Sequence, residues 1–355
     1  MPRRGYIDCA RGLAVLLMIE AHTIDAWTRP ASKASIAFGN ATVLGGFAAP
    51  LFLWLAGVGV ALSAARAVER SAAVAAVCRR GLEIFALAFL FRLQAFLLSP
   101  GGPLIGLLRV DILNIMGPAL VLAALLWGVA AATSARVALL AAAAAATAIA
   151  TPVVREAPWV NAVPQWVQWY LRPAGEHTTF TAFPWIGFVF AGAAVGTLIA
   201  AARDERTERR IHIAGAITGL ALVALGLITA ARPTIYHASS FWTSSPTWFS
   251  IRTGILMIAL AATYGVLRLR STGLRAIEHP LSMIGRHSLF VYWIHVELVY
   301  GYASWLWRGA LPLWGTAVAA LLFTMLMYGA VGLRRAVHFS LPLAQRRRTT
   351  PVGVP

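Results

Sequence analysis

The sequence predicts an all-α, polytopic integral membrane protein with about ten transmembrane helices and both termini in the cytoplasm. Of its 355 residues, 59% are hydrophobic and 12% are charged, which leaves too few polar groups to cover the surface of a soluble protein. Apolar stretches of about 20 residues, long enough to cross a hydrocarbon core of about 30 Å, recur from one end of the chain to the other. The basic residues fall mainly in the short connections between these stretches, as they do in membrane proteins.

The net charge of +17 first suggests a nucleic-acid partner, but the positions of the basic residues indicate a membrane topology instead. If the chain changes sides at each of ten spans, twenty arginines lie on the side of the N-terminus and six basic residues lie on the other side. The positive-inside rule places the arginine-rich side in the cytoplasm. We therefore expect a multi-pass protein of the cell inner (cytoplasmic) membrane and no nucleic-acid partner.

The first span, residues 10–27, is unusual because ionisable residues interrupt it. Arg11 and His22 are eleven residues apart, which brings them to nearly the same helix face, roughly 16 Å apart along the axis. Asp25 extends this polar face three residues beyond His22. Glu20 falls on the other side of the helix, where we expect it to meet a second helix.

Ionisable groups of this kind are expensive in lipid. Each costs about 2.5 to 3.5 kcal/mol at the bilayer centre unless it faces a partner or a water-filled cavity. We therefore expect the polar face of the first span to point into the helix bundle. It then forms either a structural ladder of salt bridges or a functional site, and the histidine favours a functional site because its proton exchanges near neutral pH.

The second, third and fourth spans are predicted at about 41–63, 81–99 and 107–131. The fourth span is expected to bury Arg109, Asp111 and Asn114. Asp111 and Asn114 are three residues apart and share a helix face. They either contact the substrate or pair with Arg92 or Arg252.

The fifth and sixth spans are predicted at about 137–153 and 183–202. The segment between them, 154–182, is rich in tryptophan and tyrosine, which favour the membrane interface. It is expected to form an interfacial helix, with a sugar-stacking surface as the alternative. Small residues in the sixth span, together with Gly57 and Gly59 in the second, predict close helix packing.

The last four spans are predicted at about 211–231, 249–267, 281–307 and 313–333, followed by a short basic cytoplasmic tail at about 334–355. The ninth span is a second polar helix, since it contains Arg286, His287, His295 and Glu297. No linker or soluble segment divides the sequence, so residues 1–355 are expected to form a single transmembrane domain.

The sequence offers neither a metal-binding nor a hydrolase motif. It lacks HExxH and CxxC spacing, so no metal is expected, and it lacks GxSxG and a phosphate-binding loop. Cys9 and Cys78 fall near the same, reducing face of the membrane and are expected to be free thiols.

The first span carries groups that could act on a donor from the cytoplasm and on an acceptor from the outer side of the membrane. Arg11, at its cytoplasmic end, is suited to hold the phosphates of a cytoplasmic donor, because a guanidinium matches phosphate oxygens. His22 lies deeper, towards the outer half of the membrane, and can take a proton from a hydroxyl or amine if Asp25 or Glu20 orients its ring.

Several segments resemble a known family. DCARGLAVLLMIEAH, with Arg11 and His22, resembles the first-helix signature of the membrane acyltransferase-3 superfamily, and RHSLFVYWIH resembles its late helix at Ser288, Tyr292 and His295. The ARG opening and the segments PLFLWLAGV, LLRVDILNIMG and FPWIGFVFAG are most similar to its branch related to heparan-α-glucosaminide N-acetyltransferase, which includes many uncharacterised bacterial proteins.

The resemblance implies about ten helices and transfer of an acyl group, usually acetyl from cytoplasmic acetyl-CoA, to a sugar hydroxyl or amine without a metal. The expected catalytic residues are His22, Asp25, Glu20 and His295. The expected donor-binding residues are Arg11, Arg109, Asp111, Asn114 and Arg286. In the heparan branch a functional histidine lies further along the chain, whereas residues 28–40 here contain none, which leaves the acceptor undecided between amine and hydroxyl.

Two other functions remain open at this point. A transporter or flippase could use the same ionisable residues as a substrate path, although the two halves of the sequence show no clear internal repeat. A non-catalytic sensor or scaffold would tolerate replacement of both Arg11 and His22. The expected partners are the lipid bilayer, an acyl-CoA and a carbohydrate or glycolipid acceptor, with a homodimer left open.

Overall fold

The structure, a computed structural model, describes residues 4–98, 103–269 and 272–346. Helices account for most of these residues, which confirms the predicted all-α class. In chain order they are α1 (Gly5–Trp27), α2 (Pro30–Lys33), α3 (Ile36–Gly45), α4 (Ala48–Ala64), α5 (Arg70–Leu98), α6 (Ile112–Val129), α7 (Thr133–Glu156), α8 (Gln165–Leu171), α9 (Ala182–Ala201), α10 (Glu205–Ala230), α11 (Pro246–Arg268), α12 (Thr272–Arg286), α13 (Ser288–Tyr300) and α14 (Leu313–Arg346). Short 3₁₀ helices occur at Leu104–Leu108, Pro158–Ala162, Gly175–His177 and Tyr302–Ser304.

Within the described ranges, eight helical segments are long and apolar enough to cross a membrane. Their number and lengths confirm a polytopic, multi-pass membrane protein. The helix α1 is not among the eight, and α13 is an apolar helix of only 13 residues. The first and ninth predicted spans, which carry the polar residues of interest, are therefore the two that differ from a simple apolar span.

The fourth predicted span begins later than the sequence suggested. Residues 104–108 form a 3₁₀ turn, Arg109 follows it, and Asp111 is the N-cap of α6. The Asp111 carboxylate accepts the backbone N–H of Ile112, and the Asn114 side chain accepts the backbone N–H of Asp111. This reciprocal capping starts the helix at Ile112. The prediction that Arg109 and Asp111 lie inside the span was wrong.

The ninth predicted span is divided at His287, whose backbone is not helical (φ −107°, ψ 20°). Its backbone N–H bonds to the carbonyl of Ile284, three residues back, while its ring bonds to the carbonyl of Met283 at 2.9 Å. The His287 side chain therefore bonds to the Met283 carbonyl, which in a continuous α-helix would accept the backbone N–H of His287. Arg286 and Glu297 consequently lie on two helices, and the predicted single polar helix was wrong.

Two boundaries extend further than predicted. The third span begins at Arg70 as α5, and α14 continues from the tenth span through the predicted basic tail to Arg346. The last nine residues, 347–355, lie outside the described part of the chain. The charge run 203–210 is helical after Asp204, whose side chain caps α10 by accepting the backbone N–H of Thr207.

The chain groups into two compact units. Unit 1 combines the described parts of Met1–Gly45 and Arg275–Pro355. In it, α1 packs against α3, α13 and α14, and two glycines bring its first half close to α12. A Cβ atom added at Gly12 would overlap the Leu281 carbonyl, and one added at Gly285 would overlap the carbonyl of Asp8. The backbones of α1 and α12 are therefore in direct contact.

Unit 2, Gly46–Leu274, is a set of tightly paired helices. The pair α4 and α9 meets at Gly57 and Gly192, where an added Cβ would overlap the backbone of the other helix. Glycines at 81 and 117 bring α5 and α6 together, and those at 219 and 254 do so for α10 and α11. The predicted close packing at Gly57 and in the sixth span is confirmed.

Candidate active site

The central feature of unit 1 is a direct contact between His22 on α1 and His295 on α13. The Nδ1 atom of His22 lies 2.8 Å from Nε2 of His295, and the two rings are nearly parallel, with centroids 5.0 Å apart. His295 is completely buried, whereas His22 is partly exposed. Both were predicted as site residues, and the structure brings them together.

The backbone contact of His295 indicates which nitrogens carry a hydrogen when both rings are neutral. Nδ1 of His295 lies 2.9 Å from the carbonyl oxygen of Val291, which can only accept, so this nitrogen carries a hydrogen. With both rings neutral, Nε2 of His295 then accepts the Nδ1–H of His22. The lone pair of His22 is left on its Nε2 atom, which is the position for accepting a proton from another molecule.

The end of α1 beyond His22 is anchored to the rest of unit 1. The Trp27 indole donates to the carbonyl of Val299 at 3.2 Å, and Thr28 bonds to Thr316 at 3.1 Å. The ring of Tyr300 packs edge-on against His22, with centroids 5.5 Å apart. These contacts fix the rotation of α1 and so hold the two imidazoles in register.

Asp25 and Glu20 were the two groups expected to orient His22. Asp25 is exposed, accepts the Tyr300 hydroxyl at 2.9 Å and lies 3.8 Å from Nζ of Lys33. Glu20 faces Gly45 of α3, as expected for the side of α1 away from His22. Its Oε2 atom is buried and has no hydrogen-bond partner among the described residues. Their roles as orienting groups stay predictions.

A second cluster lies near the start of α1, where Asp8 joins two of the predicted donor-binding arginines. The buried Asp8 carboxylate is 3.7 Å from Nη1 of Arg11 and 3.7 Å from Nε of Arg286, and both arginine side chains are partly exposed. Arg286 also donates to Ser282 at 3.1 Å. Asp8 was not among the predicted site residues, although its position three residues before Arg11 was a signal for this pairing.

The other predicted donor-binding residues lie in unit 2 and make structural contacts. Asp111 pairs with Arg92 at 2.5 Å in addition to capping α6. Arg109 donates to the Thr179 hydroxyl at 3.1 Å. Asn114 lies 3.4 Å from the hydroxyl of Tyr170. Burial raises the pKa of Tyr170, although the hydrogen bond with Asn114 acts to lower it. Binding of a donor by these residues stays a prediction.

Arg252 and the aromatic segment also belong to unit 2. Arg252 donates to the Gly46 carbonyl and lies over the rings of Phe47 and Trp248, so it does not serve as the partner of Asp111. In the segment 157–181, Trp159 and Trp166 are 53% and 51% exposed. Exposed tryptophans at a helix end are typical of the membrane interface.

Within the described ranges, no three His, Cys, Asp or Glu side chains are grouped so that they could hold a metal. Cys9 and Cys78 are free thiols.

Comparison with known proteins identifies the family. No curated protein matches the chain. The family model described as heparan-alpha-glucosaminide N-acetyltransferase, catalytic, matches residues 3–226. This match covers well over half of the chain and includes α1 with Arg11 and His22, whereas Arg286 and His295 lie beyond it. The chain therefore belongs to the heparan-alpha-glucosaminide N-acetyltransferase catalytic family of membrane acetyltransferases.

Proposed function

We propose that this protein transfers an acetyl group from acetyl-CoA, or another acyl group from its CoA ester, to a hydroxyl or amine of a carbohydrate or glycolipid. The reaction is proposed for the inner (cytoplasmic) membrane, with the donor entering from the cytoplasm. The single observation that carries the proposal is the hydrogen bond between His22 and His295, because it leaves a lone pair on Nε2 of His22. His22 is the general base, and His295 positions it.

In the proposed reaction the acceptor oxygen or nitrogen forms a bond to the acyl carbon while the bond from that carbon to sulfur breaks. Nε2 of His22 takes the proton of the acceptor. The proton then passes to the departing thiolate, so that CoA leaves as a thiol. A positioned general base of this kind contributes roughly 10²- to 10⁴-fold to the rate.

The cluster around Asp8 supports a CoA donor in particular. Two partly exposed guanidiniums held on one buried carboxylate are suited to phosphate binding. Arg11 and His22 are eleven residues apart on one helix, which corresponds to roughly 16 Å. A donor that reaches both needs a long arm between its phosphates and its acyl carbon, as acetyl-CoA has and acetyl phosphate does not.

The test is transfer of labelled acetyl from acetyl-CoA to a panel of amino sugars and glycolipids by purified protein in lipid nanodiscs. We expect His22→Ala to lower kcat by roughly 10²- to 10⁴-fold. His237→Ala is the matched control, because this imidazole is exposed and lies 3.6 Å from the carboxylate of Glu156 at the end of α7. Full transfer by the His22→Ala protein would overturn the proposal.

A donor series tests the phosphate-binding end separately. Arg11→Ala is expected to raise KM for acetyl-CoA with a smaller change in kcat, since Arg11 is eleven residues from the proposed base, His22. Acetyl phosphate should support no transfer by the wild-type protein. Movement of the acceptor across the membrane without acylation would instead favour a transporter.

A further inference from the structure

An elongated groove runs between α7, α9, α10 and α11 of unit 2, with a volume of about 1250 Å³. It follows α10 from Thr207 to Ala230, a distance of roughly 35 Å along the helix axis. This length matches the thickness of the hydrocarbon core of a bilayer, about 30 Å. The groove therefore reaches from one end of a membrane span to the other.

The middle of the groove is apolar because α7 and α9 present small side chains there. Ala141, Ala145 and Ala148 line it from α7, and Ala191 and Ala194 line it from α9. Alanines leave an open channel beside α10, which contributes Ile211, Leu222 and Leu225 together with Thr218. Hydrocarbon chains fit such a surface, whereas water gains few hydrogen bonds in it.

The two ends of the groove are cationic, since Arg210 lines one end and Arg232 lines the other. Tyr236 and Ser239 also line the Arg232 end. The Tyr236 hydroxyl donates to the carbonyl of Ile149 at 3.0 Å, so Arg232 and Ser239 supply the hydrogen-bond donors there. A guanidinium accompanied by a hydroxyl is suited to a phosphate group. The cationic end of the groove thus corresponds to the headgroup of a phospholipid, and the apolar channel corresponds to its acyl chains.

Thr253 provides a second, independent sign of a polar ligand atom. It lines the groove, is 6% exposed, and its hydroxyl makes no hydrogen bond among the described residues. A buried hydroxyl without a partner is unfavourable. Thr253 lies seven residues into α11 from Pro246, roughly 10 Å along the helix axis, on the apolar side of the Arg232 end, as the ester carbonyls of a phospholipid lie on the acyl-chain side of its phosphate.

We propose that this groove is a phospholipid-binding site. The phosphate lies at Arg232, an ester carbonyl accepts the hydroxyl of Thr253, and the acyl chains extend along α7, α9 and α10. The groove belongs to unit 2, whereas His22 and His295 belong to unit 1, and the proposal does not depend on the proposed reaction. A helix from another protein would leave Arg232 and Thr253 without partners, so the groove favours a lipid.

Gly215 allows the groove to be filled without disturbing the fold. It lines the groove, and a Cβ atom added there meets nothing within 4 Å. Leucine at this position therefore grows into the groove, and it also favours the helix over glycine. Gly329 on α14 is the matched control, because an added Cβ is equally unobstructed there and the residue does not line the groove.

The experiment is native mass spectrometry of the full chain in detergent with added phosphatidylglycerol, diacylglycerol or inorganic phosphate. Wild type and Gly329→Leu are expected to retain one phosphatidylglycerol, and Gly215→Leu to bind it about tenfold or more weakly. Arg232→Gln should reduce phosphatidylglycerol binding to the level of diacylglycerol. Inorganic phosphate alone should not be retained, since the acyl chains supply much of the affinity.

Thr253→Val tests the same site by stability, so the proposal does not depend on one variant. Without lipid, this variant should melt at a higher temperature than wild type, because it removes a buried unpaired hydroxyl. With phosphatidylglycerol, it should gain less stabilisation than wild type. Wild-type lipid retention by Gly215→Leu, equal binding of phosphatidylglycerol and diacylglycerol by wild type, or unchanged lipid stabilisation of Thr253→Val would each overturn the proposal.

Discussion

Replacing His295 by leucine tests the proton arrangement of the candidate site most directly. The change removes the Nε2 atom that accepts the Nδ1–H of His22 at 2.8 Å, in a position that is 0% exposed. Without that hydrogen-bond acceptor, the neutral His22 ring is no longer held with its hydrogen on Nδ1, and the other tautomer points a hydrogen from Nε2 at the acetyl acceptor. In a serine protease triad, a wrong tautomer lowers kcat by about 10⁴-fold, so we expect a loss of roughly 10²- to 10⁴-fold here.

The same substitution should lower the free energy of unfolding by about 1–3 kcal/mol, because the partly buried N–H of His22 loses this hydrogen-bond acceptor. His295→Gln keeps an oxygen that can accept from His22 and should recover roughly tenfold or more of kcat relative to leucine. KM for acetyl-CoA should stay within about twofold for both variants, because Arg11 lies some 16 Å away along α1. Single-turnover acetyl transfer and thermal melting measure these quantities.

Thr23→Val is the matched control for this experiment. Thr23 is next to His22 and fully buried, but its hydroxyl bonds to the backbone carbonyls of Ile19 and Glu20. The control should lose stability and keep its kcat. If the His295→Leu protein is folded and retains the wild-type kcat, or if glutamine gives no recovery, the positioning role of His295 is refuted.

Three further predictions concern the scaffold. Gly285→Ala should lower the free energy of unfolding by about 1–3 kcal/mol, because the new methyl group overlaps the Asp8 carbonyl. Its control is Gly332→Ala on α14, where an added Cβ meets nothing within 4 Å. The control should be neutral or slightly stabilising in thermal melts. Asp111→Ala should cost about 3 kcal/mol, since it removes the cap of α6 and the partner of Arg92, and limited proteolysis should detect fraying of that helix. Hydrogen bonds from Thr207 lower the pKa of Asp204 in the folded protein. Wild type should therefore be more stable than Asp204→Asn at a pH above the pKa of aspartate in the unfolded chain. This difference in stability should disappear as the pH falls through the lowered pKa of the folded protein.

The sequence was sufficient for the class of fold because hydrophobic length and arginine placement are properties of single segments. It was less able to place helix ends that depend on side-chain capping. The sequence Asp111-Ile-Leu-Asn114 carries an N-cap signature, which explains why α6 starts at Ile112 instead of including Arg109. The break at His287 has no comparable local signature, because it depends on a ring nitrogen reaching the carbonyl of Met283.

The candidate site, too, is only partly predictable from the sequence. The helical spacing of Arg11 and His22 and the facing of Glu20 towards another helix follow from 3.6-residue periodicity. The contact of His22 with His295 does not, since the two residues are 273 positions apart and meet only through packing of α1 on α13. The spacing also places Asp8 on this polar face, three residues before Arg11, but it predicts only that local pair, whereas the structure adds Arg286 from α12.

The position of His295 outside the matched region changes what the family assignment explains. The match ends at residue 226, so it contains the proposed base but neither its positioning partner nor Arg286. On the proposed role of His295, the effect of losing it depends on the acetyl acceptor, because a hydroxyl must lose its proton as it attacks, whereas a neutral amine can attack first and lose its proton afterwards. A base that is held in place by a hydrogen bond to a buried residue is therefore most important when the acetyl acceptor is a hydroxyl. The relative loss of hydroxyl and amine acetylation in His295→Leu would then distinguish O-transfer from N-transfer, which membership of the family alone does not do.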